Sequence, residues 1–109
     1  MKKTYNNIAN ITKTIGVTKE NNLCKLMEEI GELSQNINIE FGIKNGILNI
    51  NNIKGELADC IQILMSISNQ YGITYNELVL ELGIKNNKWL KKYKAKAKIK
   101  IRITSTKKK

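Results

Sequence analysis

Along most of this chain apolar residues recur at intervals of three and four, the spacing of one face of an α-helix. Tyr5, Ile8, Ile11 and Ile15 predict a short helix over residues 4–15, closed by Gly16. Thr18 is placed to cap a second helix reaching about Glu40, whose stripe is Leu23, Leu26, Met27, Ile30, Leu33 and Ile37. The pattern then breaks. FGIKNGILNINN, residues 41–52, holds two glycines and several asparagines and reads as a loop. Asn52 is the predicted cap of a third helix over about 53–71, with the stripe Ile53, Leu57, Cys60, Ile61, Leu64, Ile67 and Tyr71. After the connector YGIT, Thr74 and Glu77 fit a capping box that opens a fourth helix, running at least to Gly83 and as far as Leu90. Three strong amphipathic helices and one weak one imply an all-α helical bundle of about four helices.

The C-terminal segment follows a different period. KAKAKIKIRIT, residues 94–104, sets Ala95, Ala97, Ile99, Ile101 and Ile103 against Lys94, Lys96, Lys98, Lys100 and Arg102 in strict alternation, a strand pattern. No second convincing strand accompanies it. The tail is read as basic and strand-like, with three candidate partners: the same tail of another protomer, a short strand in the loop 41–50, or none, which would leave it disordered; pairing across an oligomer interface is favoured, since a lone strand leaves its backbone groups unpaired.

Charge sharpens this division. The net charge is +10, but residues 1–90 carry nine Lys and nine Asp or Glu, while residues 91–109 carry nine Lys, one Arg and no acid. A neutral domain over 1–90 and a cationic tail over 91–109 is the implied organisation. The high charge is therefore no argument for nucleic-acid binding by the body of the protein. No apolar run is long enough to cross a membrane, and the N-terminus has no secretory pattern, so a cytoplasmic protein is expected. Cys24 and Cys60 are the only cysteines and are read as reduced and structural. The absence of histidine excludes Ser-His, Cys-His and His-metal chemistry.

What remains is carboxylate chemistry. The stretch LMEEIGELSQNI, residues 26–37, sets Glu28, Glu29 and Glu32 beside an apolar stripe, and the third helix carries Glu56 and Asp59. At 100° per residue, Glu29 and Glu32 lie roughly 80° and 140° from their stripe centre, and Glu56 and Asp59 roughly 60° and 120° from theirs, on the same side. Each helix thus carries an i, i+3 acid pair at one edge of its apolar face, and packing the two helices together lets the four carboxylates converge. Glu28 points nearly opposite its stripe. Any one of these acids alone is more simply a solvated side chain. As a group they hold five of the nine acids in the chain, and no lysine follows any of them by three or four residues. Converging carboxylates need a cation, and an all-oxygen donor set suits Mg²⁺, Mn²⁺ or Ca²⁺.

EEIGE followed by GELADC resembles the EExxE…ExxD signature of the MazG-like nucleoside triphosphate pyrophosphohydrolases, the all-α NTP pyrophosphatase superfamily, over roughly residues 20–90. The resemblance implies that Glu29, Glu32, Glu56 and Asp59 hold Mg²⁺, with Mn²⁺ as an alternative, and that this ion binds the triphosphate. Water then attacks, releasing a nucleoside monophosphate and pyrophosphate. Glu28 matches the first Glu of the motif, and Glu28 or Glu32 is the candidate general base. IKNNKW resembles a further basic cluster of that family, which makes Lys85, Asn86 and Lys88 candidate phosphate contacts. Leu82 and Trp89 stand where the family commonly has lysine and arginine, and the simpler alternative for the cluster is a basic helix end favoured by the helix dipole. Phe41 and Trp89 are candidates for stacking on a base, whereas Tyr71 falls on the apolar stripe and is expected in the core. The family also implies a homodimer or homotetramer. Three alternatives stay open at this point: a phosphoribosyl-ATP pyrophosphohydrolase, a catalytically degenerate nucleotide-binding module, and a nucleic-acid-binding helical protein suggested by the tail alone.

Overall fold

In the computed structural model the backbone is described for residues 1–107 and the side chains for residues 1–96. Among these, all regular structure is helical: α1 (Lys2–Ile15), α2 (Lys19–Glu40), α3 (Ile50–Gln70) and α4 (Tyr75–Lys107). The chain divides into two compact units, Met1–Tyr75 and Asn76–Lys109. The first holds α1, α2 and α3, and the second is built on α4.

Local chemistry sets the helix ends. Gly16 closes α1 in the left-handed conformation, φ 72°, and its N–H reaches the Thr12 carbonyl. A residue with a Cβ would be strained there, so glycine is the natural stop. Thr18 caps α2 as predicted, its Oγ1 accepting from the Asn21 N–H at 3.1 Å. The cap of α3 is Asn49 and not Asn52. Its Oδ1 accepts from the N–H groups of Asn51 at 2.9 Å and Asn52 at 3.4 Å. Asn49, Asn51 and Asn52 can all cap, and the earliest wins because each residue added to a nucleated helix gains a hydrogen bond. α4 begins directly after Thr74.

The tail differs from its alternation. The described backbone stays helical through Lys107, where residues 94–104 predict a strand. No strand exists among the described residues to pair with it, and a helix satisfies its own backbone groups while a lone strand does not. The predicted pairing of Ile99, Ile101 and Ile103 concerns side chains outside the described ones.

In the first unit α3 is central, with α1 and α2 both packed on it. The buried apolar side chains are Tyr5, Ile8, Cys60, Ile63 and Met65, each worth roughly 1.5–3 kcal/mol when fully removed from water. They share the interior with Thr12, Asn22, Glu29, Ser66 and Ser68. A hydrogen-bond chain makes that polar content tolerable. Thr12 Oγ1 donates to the Ile8 carbonyl at 2.7 Å, so its one proton is used, and Ser66 Oγ must donate to Thr12 across 2.7 Å. Asn22 Nδ2 then donates to Ser66 Oγ at 2.8 Å and to Gln70 Oε1 at 3.0 Å, and Gln70 Nε2 donates to the Val17 carbonyl at 2.8 Å. The Tyr5 hydroxyl donates to the Ile73 carbonyl and lies 3.0 Å from Ser68 Oγ. Three helices and the α1–α2 turn are thus tied by groups that would each cost about 1–3 kcal/mol if buried unpaired.

The predicted stripes are only partly inside. Ile11 and Ile15 of α1 are exposed, and Thr12 takes the buried position between them. Tyr71, expected in the core, is 64% exposed, with the Lys19 ammonium 4.4 Å from its ring centroid. Leu23, Met27, Ile30 and Ile37 of α2 are exposed, as are Leu57, Ile61 and Leu64 of α3. These helices meet along the edge of their stripes, where small polar groups allow close approach, and not through the stripe centres. Among the described residues no helix is long and apolar enough to cross a membrane.

Candidate functional site

Asn22 of α2 meets Ser66 and Gln70 of α3, while Glu29 meets Glu56 and Asp59, so the two helices run antiparallel. This register carries the α2 acids to the α3 acids. One carboxylate oxygen from each of Glu29, Glu56 and Asp59 lies within 4.8 Å of the other two. Glu28, Glu29 and Glu32 form a second such group along α2. Glu29 belongs to both and is 6% exposed, the most enclosed carboxylate of the set. Glu56 is half-buried, while Asp59, Glu28 and Glu32 are exposed. The four acids expected to converge do so around Glu29, with Glu32 acting on Glu56 through its charge.

The electrostatics of this cluster are strained. Oε2 of Glu29 and Oε2 of Glu56 are both buried without a hydrogen-bond partner. Glu56 has its pKa pushed up to about 7, first by loss of hydration, then by the hydrogen bond its protonated form shares with Glu29, and by the charges of Glu32 and Glu29. Burial raises the Cys60 thiol as well, with the charges of Glu29, Glu56 and Asp59 adding to it. Cys60 is therefore a packed thiol beside the acids, and both cysteines are free.

One partner escaped the sequence pattern. Lys25 Nζ lies 3.5 Å from Glu29 Oε1 and 3.9 Å from Glu28 Oε2. It precedes these acids by four and three residues, whereas no lysine follows them at that spacing. Its own pKa is raised, most of all by Glu28 and then by Glu29. Lys25 partly neutralises the α2 acids and does not reach the unpartnered Oε2 atoms. An all-oxygen donor set with two unpartnered buried oxygens is of the kind a hard divalent cation takes, and Glu29, Glu56 and Asp59 would hold it, with Glu32 adjacent.

Beside the acids lies a cleft of about 380 Å³ between α1, α2 and α3. Its walls include Thr12, Asn22, Gln62 and Ser66, with Lys25, Glu29 and Asp59 toward the cluster. Thr12, Asn22, Gln62 and Ser66 did not stand out in the sequence, because hydroxyls and amides scattered over three helices have no linear signature.

The proposed phosphate contacts belong to the second unit. Lys85, Asn86, Lys88 and Trp89 are exposed on α4. Lys85 pairs loosely with Glu81 at 3.9 Å, and Trp89 packs edge-on against Tyr93 with 6.2 Å between ring centroids. Phe41 is exposed in the loop after α2. No protein-family model, no curated protein and no solved structure matches the chain.

Proposed function

We propose that this protein is a divalent-cation-dependent nucleotide pyrophosphohydrolase that cleaves a nucleoside triphosphate to a monophosphate and pyrophosphate. The observation that carries the reading is the meeting of Glu29, Glu56 and Asp59 from two helices, with buried unpartnered oxygens on Glu29 and Glu56, at the mouth of a cleft. The EEIGE and GELADC motifs supply these residues, and their resemblance to the MazG-like signature gives the reaction class.

In this reading Glu29, Glu32, Glu56 and Asp59 hold Mg²⁺ or Mn²⁺. When bound, the ion supplies charge neutralisation and orientation for the phosphate oxygens. Glu28 and Glu32, exposed at the edge of the cluster, are where a water can be approached by a carboxylate oxygen ready to accept its proton. The cleft beside them is large enough for part of a nucleoside, and the Gln62 amide on its wall suits the edge of a base. Lys85, Asn86, Lys88 and Trp89 are assigned to the polyphosphate and base. The Lys25 ammonium, 3.5 Å from Glu29 Oε1 and 3.9 Å from Glu28 Oε2, offsets part of the charge of the α2 carboxylates. The protein works as a homo-oligomer in the cytoplasm on this reading.

The test is a panel of canonical and modified ribo- and deoxyribonucleoside triphosphates, with phosphoribosyl-ATP included, scored for pyrophosphate release with Mg²⁺. Release from at least one member, lost in EDTA, is expected. Tight metal-dependent binding without release would replace the enzyme by a nucleotide-binding module, which the same carboxylates also support.

A further inference from the structure

The strongest feature outside the carboxylate site is the two-sided character of α4 over residues 79–96. At 100° per residue, Val79, Leu82, Trp89, Leu90 and Tyr93 fall within an arc of roughly 100°, with Asn86 the one polar residue inside it. Leu82, Trp89 and Tyr93 are 66%, 66% and 58% exposed, and Val79 and Leu90 are nearly half exposed. The rest of the circumference turns basic. Lys85, Lys88, Lys91, Lys92, Lys94 and Lys96 all lie outside the arc and are exposed, and no acid follows Glu81 in the chain. Leu80 and Ile84 lie off the apolar face, ahead of the run of lysines. Lys96 Nζ stands 6.0 Å from the Tyr93 ring centroid, so aromatic ring and ammonium are neighbours at the border of the face. Among the described residues, the unit Asn76–Lys109 holds no second element on which this face could pack.

We propose that this segment docks the protein on a membrane surface bearing anionic lipids, lying in the plane of the headgroups without crossing the bilayer. Charge complementarity chooses the occupant. Lysines on every side but one call for a partner rich in negative charge. A second α4 is a poor partner, because pairing the two apolar faces would set one row of lysines beside another. A nucleic acid would meet the lysines, and its bases could stack on Trp89 and Tyr93, but it offers nothing apolar to Val79, Leu82 and Leu90. A bilayer takes all three kinds of group at once. Aliphatic side chains reach the acyl boundary, Trp and Tyr rings settle at headgroup depth, and lysine stems run outward until their ammonium groups meet lipid phosphates. A cluster of about four to eight basic residues on an amphipathic helix is the kind that binds phosphatidylserine surfaces, and residues 85–96 carry six. The proposal goes beyond the hydrolase reading and does not need it. Lys85, Lys88 and Trp89 are shared with the proposed nucleotide contacts, so the deciding substitutions are made at Leu90, Lys91, Lys92, Tyr93 and Lys94.

The experiment is co-sedimentation of the full chain with vesicles of phosphatidylcholine alone and of an equal mixture with phosphatidylserine. It is read alongside the emission of Trp89, the only tryptophan in the chain. With mixed vesicles, wild type is expected to co-sediment and its emission to shift to the blue, both effects fading as salt is raised. Phosphatidylcholine alone should produce neither. Leu90→Gln with Tyr93→Gln is expected to weaken binding at least about tenfold. Lys91→Ala, Lys92→Ala and Lys94→Ala together should weaken it on the order of a hundredfold, since each lysine near an anionic surface contributes roughly fivefold. These side chains are exposed, so helicity by circular dichroism should be kept; should a variant lose it, the wild-type emission and lipid dependence decide. An emission that mixed vesicles leave unmoved, equal binding to both vesicle types, or a helical variant of either kind that binds as wild type does overturns the proposal. The same titration with duplex DNA and single-stranded RNA tests the rival. Tighter binding to either than to mixed vesicles, indifferent to Leu90 and Tyr93, makes the partner a nucleic acid and overturns the proposal too.

Discussion

The two sides of the α2–α3 pair are opposites. On the α1 side, Asn22, Glu29 and Ser66 are buried and hydrogen-bonded or clustered; on the far side, Leu23, Met27 and Leu64 stand in water. Helical periodicity marks which face will be covered but is silent on what covers it. Within one chain the polar edges won, because Thr12, Ser66, Asn22 and Gln70 satisfy one another and let three helices approach closely. The apolar face was left exposed.

The sharpest way to break the comparison is at the acids. Glu56→Gln removes a proposed metal ligand from the cluster, and pyrophosphate release should fall by about 10³-fold or more, a loss at the scale of removing a catalytic acid–base group. Glu20→Gln, on an exposed position outside both acid groups, should leave the rate unchanged. Equal rates in Glu56→Gln and wild type would end the enzyme reading.

Adding the cation is the next largest effect. Mg²⁺ at about a hundred times its dissociation constant should stabilise the fold by about 2.7 kcal/mol through mass action. A melting temperature that Mg²⁺ and Mn²⁺ leave unmoved would mean that the orphaned oxygens of Glu29 and Glu56 hold no ion.

The polar side itself can be probed through Asn22→Ala, which takes the donor from Gln70 Oε1 and one of the two partners from Ser66 Oγ. We expect a loss of about 2 kcal/mol in urea denaturation, the scale for leaving buried polar groups unpaired. If the substitution is neutral, the hydrogen-bond chain is not what holds the helices at this distance.

The smallest effect is a trend with pH. The carboxyl of Glu56 titrates near 7 in the fold and near 4.5 in the unfolded chain. Below 4.5 it is protonated in both states. Between 4.5 and 7 the unfolded chain ionises while the fold resists, so stability without divalent ion should decline as pH rises through this window and level off above it. Saturating Mg²⁺ favours the ionised form and should flatten the decline. Melting curves in chelator and in Mg²⁺ on either side of the window show both.

Much of the architecture was legible in the residues alone. Interval-three and -four spacing marked every helix, Thr18 and Gly16 marked two ends, and the i, i+3 acid pairs marked the edges that meet, because all of these are local or obey a fixed angle per residue. Lys25 is legible too, since it precedes Glu28 and Glu29 by three and four residues on the same helix. The tail shows the limit of such local signals: its period of two asks for a strand, but a strand exists only with a partner, and the described backbone there is helical. Tertiary structure alone decided that Thr12 and not Ile11 turns inward, that Tyr71 lies open beneath Lys19, and that Glu29 is enclosed while Glu28 and Glu32 are not. Each of these depends on which helix stands next to which edge. That choice is made by hydrogen bonds between residues some fifty apart in the chain, Thr12 with Ser66 and Asn22 with Gln70, whose pairing no pattern within a single helix contains.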